Sequence, residues 1–201
     1  MTCSTPDTFI GRQPIFDCRR RVVAYELLFR NPGETAARVA DPFVATRKVV
    51  ERAFQRLGIP TVLGASRGFV NVDEEFLMSR LVEVLPPERV VLEVLETVRV
   101  DERIMGRCRE LKARGYRLAL DDFSREDDAH APLLDLADVV KVDVSLLNAA
   151  GLTELARRLR LRPLRLLAEK VDSPECARHC RALGFHLFQG FFFGRPAILG
   201  A

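Results

Sequence analysis

Seven apolar segments of the chain each carry polar or charged side chains that are unusual in a hydrophobic strand. In chain order these residues are Glu26, Asn71, Glu93, Asp121 with Asp122, Lys141, Glu169 and Gln189. Burying a charged group costs free energy unless the group is paired or binds a metal ion. Any one of the carboxylates alone fits a strand end at the surface, or one half of an ion pair with Lys141. Seven segments with the same feature point instead to one shared site.

The residue types narrow the chemistry of that site. Four of them offer oxygen ligands: Glu26, Asn71, Glu93 and Asp121. Oxygen-only ligation favours hard cations such as Mg²⁺ or Mn²⁺ over zinc. Such ions suit phosphoester substrates because they neutralise phosphate charge and lower the pKa of bound water. Lys141 adds a fixed positive charge, and Glu169 is a spare carboxylate suited to the role of general base.

The elements that must position these residues are strand-like segments that alternate with helix-like segments. The strand-like segments are Gln13–Phe16, Val22–Phe29, Gly68–Val72, Arg89–Glu96, Arg117–Phe123, Val139–Ser145, Arg165–Val171 and His186–Phe193. Their alternation with helices predicts an α/β fold, a TIM-like (β/α)8 barrel. The first connection is too short for a crossover helix, so we expect a hairpin there and one irregular, antiparallel strand near the N-terminus. Strand ends converge on one face of such a barrel, where active sites are built.

Capping residues mark two of the crossover helices. Asp101 is expected to cap a helix that ends near Gly115. Ser173 followed by Pro174 predicts the start of another helix, which Gly184 closes. Both helices lie between strand-like segments, as a barrel requires.

Composition predicts one globular domain over residues 1–201, since hydrophobic residues make up 48% and charged residues 29% of the chain. No apolar run approaches the ~20 residues that a membrane helix needs, so no membrane contact is expected. Met1–Thr8 lacks the layout of a secretion signal, and the expected location is therefore the cytoplasm. The net charge of +3 is spread without a basic stripe, which argues against binding of duplex nucleic acid.

With its motifs in this order, the sequence resembles the EAL domain family of cyclic di-GMP phosphodiesterases from about Ile10 to Pro196. The segment RQPIFDCRRRVVAYELLFR resembles the opening strands of that family, and Glu26 matches its signature Glu, although the triplet here is Glu-Leu-Leu. The segments FVNV, LEVLE, LALDDF, VVKVD, AEKVDS and FQGFFFGRP resemble its later motifs. The resemblance implies a TIM-like barrel and hydrolysis of cyclic di-GMP to linear pGpG with Mg²⁺ or Mn²⁺.

The resemblance also implies a role for each matched residue. The implied metal ligands are Glu26, Asn71, Glu93, Asp121 and Asp122, with Asp122 serving a second ion if two are bound. The implied substrate-binding residues are Gln13, Arg30 and Gln189, and Arg30 would contact a phosphate. Glu169 is the implied general base and Lys141 would position the attacking water. Glu96 would support the loop after the double Asp.

Three departures from the family pattern bear on activity. Ser124–Asp128 stands where the family has a Gly-Thr-Gly loop, which helps to set the metal site and a dimer contact. Lys170 and Asp172 replace the usual Gly and Glu beside Glu169. Because strand side chains alternate, Lys170 is expected to point away from the site and to matter less. The segments YELLFR and AEKV are most similar to the branch of EAL proteins fused to a C-terminal HDOD domain, and such a domain is expected to be missing from this 201-residue sequence.

Two functions of different classes follow from these features. The first is slow, metal-dependent hydrolysis of cyclic di-GMP in bacterial signalling, which the full ligand and base set favours. The alternative is a catalytically degenerate EAL domain that acts as a cyclic di-GMP receptor or protein-interaction module, which the altered loop favours. An HDOD or other regulatory domain is an expected partner, and a homodimer stays open.

Overall fold

The computed structural model describes residues 9–30, 42–51, 53, 57–123 and 131–199. Eight of its strands close into a barrel, and a ninth lies outside. The strands are β1 (Phe9–Asp17), β2 (Val22–Arg30), β3 (Arg67–Val72), β4 (Val90–Val94), β5 (Arg117–Leu120), β6 (Val139–Asp143), β7 (Arg165–Glu169), β8 (Leu187–Phe188) and β9 (Ala197–Leu199). β1 closes the barrel by pairing antiparallel with both β2 and β8, whereas the pairs from β2 to β8 are parallel. The predicted barrel, hairpin and antiparallel strand are confirmed.

Seven α-helices lie in the described residues. They are α1 (Pro42–Val50), α2 (Ile59–Leu63), α3 (Glu74–Met78), α4 (Glu102–Ala113), α5 (Ala131–Leu134), α6 (Ala149–Leu159) and α7 (Pro174–Ala182). The capping predictions hold, because the Asp101 carboxylate accepts a hydrogen bond from the Ile104 amide at 2.9 Å and Ser173 accepts one from the Cys176 amide at 3.2 Å. Gly115 and Gly184 follow α4 and α7 with φ of +90° and +87°. Across the described parts of the chain, every helix is too short or too polar to span a lipid bilayer.

The barrel interior is filled by one apolar side chain from each of its eight strands. These residues are Ile15, Ala24, Phe69, Val91, Ala119, Val139, Leu167 and Leu187. None is more than 5% exposed. This apolar layer, the plug, closes the barrel across its width. A larger apolar core lies between the outer faces of the strands and the helices, where Leu92 and Val94 of β4 pack in the same cluster as Ile104 and Leu111 of α4.

Several predicted strands run past the observed strand ends. β4 ends at Val94, β5 at Leu120 and β8 at Phe188, so the segments that follow are loops at the mouth of the barrel. Asp121 still continues the ladder by one bond, since its amide donates to the Val94 carbonyl at 3.0 Å. β9 was not predicted, because three residues after a proline carry too little pattern to indicate a strand.

Candidate metal centre

The candidate site lies one level above the plug, because each of its side chains comes two positions after a plug residue. Side chains of a strand alternate between faces, so both residues of each pair point into the barrel. The pairs are Ala24 with Glu26, Phe69 with Asn71, Val91 with Glu93, Ala119 with Asp121, Val139 with Lys141, Leu167 with Glu169 and Leu187 with Gln189. On the antiparallel strand β1 the order reverses, and Gln13 precedes Ile15. The structure therefore brings the polar residues predicted from the seven segments together at one level.

Lys141 lies at the centre of this level, and its side chain is only 1% exposed. Its ammonium donates to the Glu93 carboxylate and to Asp121 Oδ1, the latter at 2.8 Å. Glu169 Oε1 lies 3.0 Å from the same nitrogen, and Glu26 Oε2 lies 3.9 Å away. One ammonium therefore faces four carboxylates, and the site carries an excess of negative charge.

That excess sets the ionisation of the groups. Burial lowers the pKa of Lys141, but attraction by Glu169, Glu26 and the other carboxylates outweighs it and raises the pKa well above its usual value. Burial raises the pKa of Glu93 well above its usual value and that of Glu169 to about 8. Burial also opposes ionisation of Asp121, yet the Lys141 ammonium holds its pKa below the usual range. Without a bound cation, Glu93 and Glu169 therefore favour a proton while Lys141 stays charged.

Four buried oxygens of this level have no hydrogen-bond partner among the described residues. They are Asn71 Oδ1, Glu93 Oε2, Glu169 Oε2 and Gln189 Oε1. A buried polar atom is rarely left unpaired in a folded protein, and an exception calls for a ligand, an ion or an ordered water. All four are oxygens, the donors that Mg²⁺ and Mn²⁺ prefer. The residues present therefore fit a hard divalent cation.

A second group of carboxylates lies beside this level at the barrel mouth. Oxygens of Glu96, Asp121 and Asp122 all lie within 4.8 Å of one another. Asp122 has φ of +44°, in the left-handed region where Asp is one of the few tolerated residues. Burial, and then the neighbouring Asp121 charge, raise the pKa of Asp122. Glu96, expected to support the following loop, thus has its carboxylate among potential cation ligands, whereas residues 124–130 of that loop lie outside the described residues.

The side chains of Gln189 and Gln13 form a short series of hydrogen bonds that ends on the Glu26 carboxylate. Gln189 Nε2 donates to Glu26 Oε2 at 2.5 Å and to Gln13 Oε1 at 3.1 Å. Gln13 Nε2 in turn donates to the Gly194 carbonyl at 3.4 Å. Gln189, predicted to bind substrate, therefore hydrogen-bonds a predicted metal ligand, and Gln13, also predicted to bind substrate, accepts a hydrogen bond from Gln189. The side chain of Arg30, at the end of β2, lies outside the described part of the chain.

Gly190 allows the segment after β8 to pack on the loop after Glu169. Its φ is +150°, and a Cβ built there would lie 2.1 Å from the Val171 carbonyl oxygen. The close approach is secured by two bonds, from the Val171 amide to the Gln189 carbonyl and from the Phe192 amide to the Val171 carbonyl. The glycine of FQGF therefore keeps Gln189 and Glu169 in register.

The expectation that Lys170 points away from the site is wrong. β7 ends at Glu169, and Lys170 has φ of +54°, so strand alternation no longer applies to it. Its ammonium forms an ion pair with Asp143 and lies 4.0 Å from Asp122 Oδ1. Asp143 was not predicted as part of the site, although its position two residues after Lys141 in VVKVD places both side chains on the same face of β6.

This combination of barrel and polar level is the architecture of a known domain class. The chain matches the EAL domain family over residues 12–196 and belongs to that family. An uncharacterised Bacillus subtilis protein, YuxH, is 35% identical over 195 residues, which are 95% of this chain and 48% of YuxH. The Vibrio cholerae cyclic di-GMP phosphodiesterase CdgJ is also 35% identical, over 198 residues that are 96% of this chain and 45% of CdgJ. The chain thus spans about half the length of these two relatives.

Solved EAL structures share the fold. The Bacillus subtilis YkuI protein, in complex with c-di-GMP and calcium, superposes with a TM-score of 0.79 at 20% identity, covering 95% of this chain and 55% of YkuI. The EAL domain of Mycobacterium smegmatis DcpA superposes with a TM-score of 0.76 at 24% identity, covering 94% of this chain and 92% of that one. At these identities the likeness establishes the barrel fold.

Proposed function

We propose that this domain hydrolyses cyclic di-GMP to linear pGpG in a reaction that depends on Mg²⁺ or Mn²⁺. The observation that carries the proposal is the set of unpaired buried oxygens on Asn71, Glu93 and Glu169 around one buried ammonium. Membership of the EAL family and similarity to a relative named as a cyclic di-GMP phosphodiesterase support the choice of substrate.

Five side chains would hold the cations. Glu26, Asn71, Glu93 and Asp121 would form one set of ligands, and Asp122 would serve a second ion next to Asp121. When bound, such cations neutralise phosphate charge and lower the pKa of water. They would also offset the excess of carboxylates over ammonium at this level.

Glu169 is the proposed general base. Its Oε1 lies 3.0 Å from Lys141 Nζ, while its Oε2 is buried and free to accept a proton from water. Burial raises its pKa to about 8, close to the pH at which a base must both hold and release a proton. Lys141 holds one oxygen of this carboxylate, and we assign it the role of positioning the attacking water.

Substrate contacts are assigned to Arg30, Gln13 and Gln189. Arg30 is the last residue of β2 and comes four positions after Glu26, so its backbone lies at the mouth of the barrel. A guanidinium can bind a phosphate through two parallel hydrogen bonds. A charge-assisted pair contributes about 1.5–3 kcal/mol, so we expect Arg30→Ala to weaken binding of cyclic di-GMP by roughly tenfold or more.

A receptor or protein-interaction role is the second candidate, and the segment Ser124–Asp128 favours it. A Gly-rich loop takes positive φ angles freely, whereas Ser, Arg and Glu do so at a cost. A displacement of about 1 Å in a positioned site reduces a rate by ~100-fold, so we expect turnover to be slow. In the same proposal the protein acts in the cytoplasm, and the similarity of YELLFR and AEKV to the HDOD-fused branch supports a regulatory partner domain.

The direct test is product analysis. The purified domain is incubated with cyclic di-GMP and either Mg²⁺ or Mn²⁺, and products are separated by chromatography, with a chelator as control. We expect slow release of pGpG, loss of release in Glu169→Gln with binding retained, and a faster rate when Gly-Thr-Gly is restored after Phe123. If neither the native nor the repaired domain releases pGpG with either ion, the hydrolytic assignment is wrong and the receptor or interaction role takes its place.

A further inference from the structure

Lys170 adopts a backbone conformation that favours glycine. Its φ is +54°, and only two other described non-glycine residues, Arg20 and Asp122, have positive φ. For most side chains this region carries a steric cost that glycine avoids. Strained residues of this kind cluster at functional sites, where the side chain has a role that outweighs the strain. The strained backbone therefore indicates that the Lys170 side chain has a role at the site.

The ammonium of Lys170 is anchored at the edge of the acidic group at the barrel mouth. Its partner Asp143 is fully buried, and one oxygen of that carboxylate also accepts hydrogen bonds from the Ser145 amide at 2.9 Å and the Ser145 hydroxyl at 2.6 Å. The same ammonium lies 4.0 Å from Asp122 Oδ1. Asp143 thus acts as a fixed support, and Lys170 reaches from it toward Asp122.

We propose that Lys170 is a tethered cation that weakens divalent-cation binding on the Asp122 side of the site. The inference rests on the proposed function, since it concerns the ion that Asp121 and Asp122 would share. A positive charge held beside Asp122 offsets part of its negative charge and repels any further cation that approaches it. A second divalent ion would then bind only when its concentration is high.

The expected size of the effect is about tenfold in affinity for the weaker ion, which equals about 1.4 kcal/mol. Lys170 is more than half exposed, so solvent and salt screen the repulsion and the effect should shrink as ionic strength rises. A purely structural role for Lys170 predicts a different combination of stability and cation affinity in its variants. If Lys170 only neutralises the buried Asp143, its removal lowers thermal stability and leaves cation affinity unchanged.

The experiment measures Mn²⁺ binding rather than activity. Metal-free protein is titrated with Mn²⁺, and free Mn²⁺ is followed by electron paramagnetic resonance in the native domain, Lys170→Met and Lys170→Arg. We expect Lys170→Met to tighten the weaker site about tenfold at low salt, and the charge-preserving Lys170→Arg to stay within about twofold of the native protein. Lys170→Gly, which removes both charge and strain, provides a second neutral variant should Lys170→Met fold poorly.

The outcomes separate the inference from the function on which it rests. Tightening in both neutral variants but not in Lys170→Arg supports the tethered-cation role. Equal affinities in all four proteins overturn it, even when the native domain binds Mn²⁺ and releases pGpG. A native domain that binds no Mn²⁺ at all overturns both the inference and the proposed metal site.

Discussion

Asn71 and Glu93 lie side by side in the register of β3 and β4, and each leaves a buried side-chain oxygen without a hydrogen-bond partner among the described residues. Adjacent strands are about 4.8 Å apart, a spacing that lets two side chains share one ion. The Lys141 ammonium donates a hydrogen bond to one Glu93 oxygen, and the second Glu93 oxygen has no partner among the described residues. This arrangement makes the role of each residue testable by itself.

The first prediction concerns the amide ligand. Replacing Asn71 by Leu removes an oxygen donor without adding charge. We expect the Mn²⁺ affinity measured by calorimetry to fall at least tenfold, because loss of a residue that only supports a metal ligand already lowers affinity by about 10–100-fold. Asn148→Ser is the matched control, because Asn148 caps α6 through the Gly151 amide and Ser is also a good cap. Equal Mn²⁺ affinities for the two variants would remove Asn71 from the proposed ligand set.

The second prediction concerns pH. Burial raises the pKa of Glu169 from 4.5 to about 8, so the folded protein binds more protons than the unfolded chain between these values. Its contribution to stability is therefore complete below about pH 4.5 and is lost as pH rises toward 8, with a slope of at most about 1.4 kcal/mol per pH unit. In the presence of a chelator, urea unfolding across this range should show the loss, and Glu169→Gln should make the pH dependence shallower, leaving the part due to Glu93 and Asp122, whose pKa values are also raised. If the unfolding free energy of that variant depended on pH as strongly as that of the native protein, the raised pKa would not belong to Glu169.

The third prediction concerns the buried ammonium. Lys141→Met leaves four carboxylates around an apolar side chain, and removing one partner of a buried ion pair costs about 3–5 kcal/mol. We expect that loss for the metal-free protein at pH 8, measured by chemical unfolding, with partial recovery when Mn²⁺ is added or the pH is lowered.

Lys112→Met is the control for Lys141→Met. Lys112 pairs with Asp138 at 2.6 Å, but both side chains are about one-third exposed, so the expected cost is no more than about 1 kcal/mol. Similar losses for the two lysines would mean that the cluster around Lys141 is already neutral without its ammonium.

The fourth prediction concerns Gly190. Gly190→Ala forces a Cβ against the backbone of Val171 and strains a positive φ, so we expect a loss of about 2–4 kcal/mol in unfolding free energy. Gly106→Ala is the matched control, because Gly106 lies within α4 with open space around it, and alanine should stabilise that helix by about 0.5–1 kcal/mol. A tolerated Gly190→Ala would show that the packing between the β7 and β8 loops is loose.

The barrel and its polar level were predictable because both depend on local pattern. A charged residue in an apolar run such as VVLEV or VVKV is anomalous by itself, and parallel strands bring such anomalies to the same end of a barrel. The period of two then puts Glu93 above Val91 and Lys141 above Val139 without further information.

The position of Lys170 could not be predicted from the same pattern. Alternation requires that β7 continue, and the strand instead ends at Glu169, where the chain takes a left-handed turn. No local signal marks that end, because Ala168, Glu169, Lys170 and Val171 read as a continuing strand. The ion pair with Asp143 joins residues 27 positions apart, and such contacts follow from the closed barrel rather than from either segment.

The plug closes one end of the site. Because its eight side chains fill the barrel beneath Lys141, the open end in the described part of the chain is the mouth between the carboxyl ends of the parallel strands. In the proposed complex, a dinucleotide held by Arg30 and Gln189 would cover an ion held by Glu93 and Asn71. We therefore expect the ion to bind before the nucleotide and to exchange only after the product has left.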